Sequence, residues 1–86
     1  MYLMVTVLLE NLDAGEGWYN VMYFSARDSG YARFDSLVVQ GGIGSGRWDT
    51  GDTAYGNIGF RVPTTSSGFW LRYDDWYTTI DVSLGL

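Results

Sequence analysis

The apolar runs in this chain are short, they alternate with polar residues, and they stop at clusters of Gly, Asp, Asn or Ser. Leu3, Val5, Val7 and Leu9 set the pattern in the first run, Leu3 to Glu10. A period of two puts such residues on one face of an extended strand. No segment keeps apolar residues at i, i+3, i+4 and i+7 over three turns, and glycine interrupts most windows. No helix is expected.

The same pattern predicts five further strands. Trp18 to Arg27 places Met22, Phe24 and Ala26 on one face, and Tyr31 to Val39 follows the turn Asp28-Ser29-Gly30. These two runs read as a hairpin in which Gly30 supplies a positive φ. Gln40 to Gly46 reads as a flexible glycine-rich connection. Thr53 to Val62 turns Ile58, Phe60 and Val62 inward and ends at Pro63, which has no N–H for a ladder. Phe69 to Tyr73 aligns Phe69, Leu71 and Tyr73, and Tyr77 to Leu84 aligns Ile80, Val82 and Leu84. Six strands joined by tight turns predict an all-β fold, an antiparallel sandwich or barrel. An immunoglobulin-type sandwich needs seven, so the chain reads as one strand short at its N-terminus, with an open edge.

Length and composition narrow the function. At 86 residues the chain is one domain, 1–86, with a thin core. It has no cysteine, so no disulfide reinforces it, and the four Trp, seven Tyr and four Phe must supply much of the buried surface. Histidine, lysine and cysteine are all absent, which removes the common nucleophiles, general bases and zinc ligands. The expectation is a non-enzymatic protein without a cofactor. The net charge is −5, and the five cations are Arg27, Arg33, Arg47, Arg61 and Arg72. An acidic field repels phosphate backbones, so nucleic acid is not an expected partner. The longest apolar stretch, Leu3 to Leu9, is far short of a membrane span and lacks the flanks of a signal peptide.

Individual motifs are mostly structural. The loop Gly41 to Gly46 lacks the Lys-Ser/Thr of a phosphate loop and the spacing of a dinucleotide fingerprint. Asp49, Asp52, Asp74 and Asp75 are weak Ca²⁺ candidates whose spacing does not match an EF-hand, and solvated turns explain them better. Asp74 and Asp75 are adjacent, which suits neither geometry of a glycosidase carboxylate pair. The aromatic residues carry the best functional signal. Trp70 and Arg72 alternate with the inward set of their strand, Trp76 and Tyr77 begin the next one, and Trp18 and Tyr19 crowd the second. Exposed Trp, Tyr and Arg are enriched at protein interfaces, and the same rings can stack on carbohydrate.

From Val5 to the C-terminus the chain resembles a prokaryotic family of uncharacterised immunoglobulin-like domains, often secreted or lipoprotein-anchored and sometimes labelled telomeric-repeat-binding. The similar features are an alternating strand ending in Asn (Val5 to Asn11), an aromatic-led strand running into a Gly turn (Phe24 to Tyr31), and a Gly turn, a second Gly and a Phe-x-Val-Pro strand (Gly51 to Pro63). The family has an extra first strand that this chain lacks, and it offers no catalytic residues. The resemblance implies an extracytoplasmic or surface-associated module that binds a protein, or secondarily a carbohydrate. The alternative is a structural subunit of a virion, appendage or filament, a homo-oligomer joined through edge strands or strand exchange.

Overall fold

The computed structural model describes residues 1–85. The strands are β1 (Tyr2–Glu10), β2 (Gly17–Asn20), β3 (Phe24–Arg27), β4 (Arg33–Leu37), β5 (Ser45–Trp48), β6 (Thr53–Arg61), β7 (Trp70–Asp74) and β8 (Thr79–Ser83). Six of them form one curled antiparallel sheet in the order β1-β6-β4-β3-β7-β8, and β2 pairs with β5 in a separate ribbon. The fold is all-β, as the alternation predicts, and its named strands all pair antiparallel.

β6 is the hub. It pairs with β1 along its whole length, from Tyr2 opposite Arg61 to Glu10 opposite Thr53. On its other side it meets β4 at Ser36–Phe60 and Leu37–Gly59. Its inward set continues past the strand end: Ile58 and Phe60 are fully buried, and Val62 nearly so. Leu3, Phe24, Ala26, Phe69 and Leu71 pack with them. Burying each large side chain of this kind stabilises by roughly 1.5–3 kcal/mol.

Three local expectations are corrected. The run Trp18 to Arg27 is two strands, split by a 3₁₀ turn at Val21–Tyr23. Asn20 starts that turn by accepting a hydrogen bond from the Met22 amide at 2.9 Å. The turn shifts the side-chain phase, so Met22 is exposed while Phe24 and Ala26 remain inside. In the hairpin of β3 and β4 the positive φ belongs to Tyr31, at 67°, not to Gly30. The Asp28 carboxylate fixes this turn by accepting from the amides of Gly30 and Ala32 at 2.9 and 3.0 Å. Ser66 donates to the same carboxylate, and that hydrogen bond leads the causes that lower its pKa.

The glycine stretch is not a loose connection. Asn57 donates to Gly41 at 3.0 Å and accepts from the Ile43 amide at 3.1 Å, which fastens the segment to β6 where β4 has ended. Ile43 is buried. The approach is close because Gly56 lies beneath it: a Cβ there would sit 2.7 Å from the Ile43 Cα and 2.8 Å from its nitrogen. β5 follows at once and is not among the predicted strands, because two of its four residues, Ser45 and Gly46, show no apolar alternation. Gly46 leaves room for Tyr19, whose hydroxyl would lie 2.8 Å from a Cβ at that position. The Tyr19 and Trp48 rings pack at 5.1 Å and join the ribbon to the core.

Gly56→Ala is expected to lower stability by about 1–3 kcal/mol in urea unfolding, because backbone rather than a side chain must move. An unchanged midpoint would show that the glycine segment is not seated on β6.

Candidate binding surface

The ends of the sheet do not meet. β1 and β8 are its two edges, and among the described residues no backbone hydrogen bond joins them. Every pairing in the sheet is antiparallel, so β1 and β8 run in opposite directions. A groove of about 740 Å³ lies between them. Val5, Val7 and Leu9 form one wall, and Ile80, Val82 and Leu84 the other. Phe24, Leu71 and Tyr73 form the floor. These are the inward-facing residues of their strands, yet Ile80 and Val82 remain about half exposed, at 51% and 50%. An apolar interior face is thus left open along a pair of unpaired edges.

The expected binding residues do not form one patch. Trp18 and Tyr77 line the mouth of the groove. Arg72 and Trp76 line a second cavity of about 320 Å³ on the outer face, with Arg27 and Arg33. Trp70 faces outward and is 43% exposed, but it lines neither cavity. Tyr19 is turned onto Trp48 and packs against the core, so it is a structural residue. Trp76 and Tyr77 are the most exposed aromatics, held out by a turn whose own carboxylates fix it. Asp74 accepts from the Trp76 amide, and Asp75 accepts from those of Tyr77 and Thr78. Trp76 adopts a φ of 77° in this turn.

Three of the arginines near these sites are paired with carboxylates. Arg72 makes two hydrogen bonds to Asp81, at 2.7 and 2.9 Å. This pairing raises the pKa of Arg72 and lowers that of Asp81. Arg33 pairs with Asp35. Arg47 binds Glu16 and lies over the Trp18 ring, 5.6 Å from its centre. Exposed pairs of this kind add about 0–1 kcal/mol each and mainly fix geometry. The Ca²⁺ candidates are used within their turns: the Asp52 carboxylate accepts from the Asp49 amide. Among the described residues no three acidic side chains gather as a metal site would require.

Tyr73 is the titratable group most affected by the groove. Burial raises its pKa, and the Asp75 carboxylate, which accepts its hydroxyl at 3.1 Å, raises it further. Sequence reading found the inward alternation of Tyr73, Ile80 and Val82 but not that they would remain open.

No protein family, curated protein or solved structure matches this chain. Among the described residues no helix is long and apolar enough to cross a membrane.

Two measurements check this placement. Trp70→Ala is expected to cost about 1 kcal/mol, and Phe69→Ala, one residue away but inside, about 3–5 kcal/mol. Comparable losses would overturn the outward assignment of Trp70. The raised Tyr73 pKa means that the folded state holds the phenolic proton more tightly than the unfolded chain does. Its contribution is therefore complete below the ordinary tyrosine pKa, about 10, and is lost as pH rises beyond it. Tyr73→Phe should flatten the alkaline limb of a stability–pH curve, and an identical limb in both proteins would rule the contribution out.

Proposed function

We propose that this chain is a non-enzymatic interaction module, immunoglobulin-like in frame, that binds a protein through the open groove between β1 and β8. The observation that carries this reading is the groove itself, with apolar walls supplied by two unpaired strands. Unpaired strand edges offer rows of N–H and C=O groups, and an added strand satisfies them while its alternate side chains fill the groove. The immunoglobulin-like sandwich is part of the proposal: a seventh strand between β1 and β8 would complete the curl as a closed two-faced body. A protein partner fits better than a carbohydrate, because Trp18, Trp70 and Trp76 lie at separate places and build no common platform. Without histidine, lysine or cysteine, the chain also lacks an activated nucleophile to put at the groove.

A second reading, a structural subunit of an assembly, draws on a different surface. The outer face of β1 and β6 exposes Tyr2, Met4, Leu8 and Tyr55, with Leu8 directly opposite Tyr55. Such a patch suits packing between subunits.

The neutral dye Nile red tests the first reading. The native protein is expected to take it up with enhanced fluorescence, and the double variant Ile80→Thr/Val82→Thr to lose most of that uptake while still unfolding cooperatively. Equal uptake by both proteins would count against the groove. Light scattering tests the second: particles of defined size that dissolve on Leu8→Lys would favour the assembly, and a monomer over a wide concentration range would count against it.

A further inference from the structure

The two ends of the groove differ in charge. β1 and β7 run in the same direction, because the four antiparallel pairings that link them, through β6, β4 and β3, reverse the chain an even number of times. Glu10 at the end of β1, the segment after it, and the turn after β7 therefore gather at one end. Glu10, Asp13, Glu16 and Asp75 line the groove there, and no arginine lines it among the described residues. Asp13 and Asp75 both act electrostatically on the Tyr73 hydroxyl at the floor. Among the described residues, only Glu16 of these four is in an ion pair, with Arg47. The other end of the groove is bounded by the uncharged Val82 and Leu84.

We infer that the groove receives an extended segment of a partner protein in which apolar and polar residues alternate and whose N-terminal end carries Lys or Arg, seated at Glu10, Asp13 and Asp75. This rests on the groove reading above and adds the partner's chemistry and direction. Charge complementarity selects the partner: a basic end meets unpaired carboxylates beside an apolar wall, where screening is weaker than in open water. It also argues against a second copy of this chain, which carries −5 itself and whose edge strands hold Glu10 and Asp81.

Direction follows from the edges. Because β1 and β8 run oppositely, a strand between them is antiparallel to one and parallel to the other. Antiparallel pairing is slightly the more stable per residue, and β1 offers nine residues to the five of β8. The guest is therefore antiparallel to β1, which places its N-terminus at the acidic end. Five paired residues send three side chains into the groove, about 6.8 Å apart.

Three blocked synthetic peptides test this: Lys-Lys-Thr-Val-Thr-Val-Thr-Val, the same peptide beginning Glu-Glu, and Thr-Val-Thr-Val-Thr-Val-Lys-Lys. Affinity is read from tryptophan fluorescence and strand pairing from amide hydrogen exchange of β1 and β8. The first peptide should bind at least tenfold more tightly than the second, protect amides on both edges, and outbind the third. The preference over the Glu-Glu peptide should fall at least threefold in Glu10→Gln/Asp13→Asn. Asp75 is left intact because its carboxylate also holds the turn amides of Tyr77 and Thr78. Equal binding of the Lys and Glu peptides overturns the charge argument, and tighter binding of the third overturns the direction. Binding without amide protection overturns the strand. Failure of all three with Nile red uptake retained overturns the segment but leaves the groove. Loss of Nile red uptake as well removes the groove reading itself. Self-association that protects β1 and β8 without peptide overturns the choice of partner in favour of a second copy.

Discussion

The ladder between β1 and β6 is the interaction on which the rest of this fold depends. It joins the most distant strands of the sheet's first half over nine residue pairs and holds Leu3 against Phe60. β6 then carries the largest fully buried side chains among the described residues, Ile58 and Phe60, into a core shared with residues from β3, β7 and the glycine segment. A chain without cysteine, and so without disulfides, has few other ways to fix so small a core. The chain N-terminus strengthens the same pairing: Met1 donates to the Val62 carbonyl at 3.0 Å, and Val62 donates back at 2.9 Å.

Because β6 is occupied on both sides, the sheet can end only at the far face of β1 and at β8. Its curl brings those two edges toward one another without joining them. The functional reading is a consequence of that geometry. β8 is exposed along its length even though its alternation is that of a core strand. The groove is thus the place where a sequence written for burial has no internal partner. The acidic residues at one end and the uncharged residues at the other give it a direction as well as an opening.

Much of the fold was legible from alternation alone. β1, β6, β7 and β8 each fall within a residue or two of the runs that pattern predicts, because period-two burial is a local property of a strand. The second run is not one strand because Asn20 caps a turn there, and a local side-chain bond can break an apolar pattern without changing its composition. β5 was invisible because it is held by its ribbon partner and by small residues that let other groups approach. Of the candidate site, Trp18 and Tyr77 reached the groove. Tyr19 did not, since its ring was taken up by Trp48. Trp70 and Arg72 lie on the outer face of β7, a side that alternation identifies but whose use it does not, and Trp76 stands in the turn after that strand.

The sequence by itself determined an all-β chain with its principal inward residues and turns, because alternation, glycine and proline act over a few bonds. It also excluded histidine-, lysine- and cysteine-based chemistry, by composition. Only the tertiary structure decided which strands pair, that Gly56 admits Ile43, and that β1 and β8 stay apart with an apolar groove between them. Those outcomes depend on which distant segments meet and how closely they pack, and no local pattern carries that information.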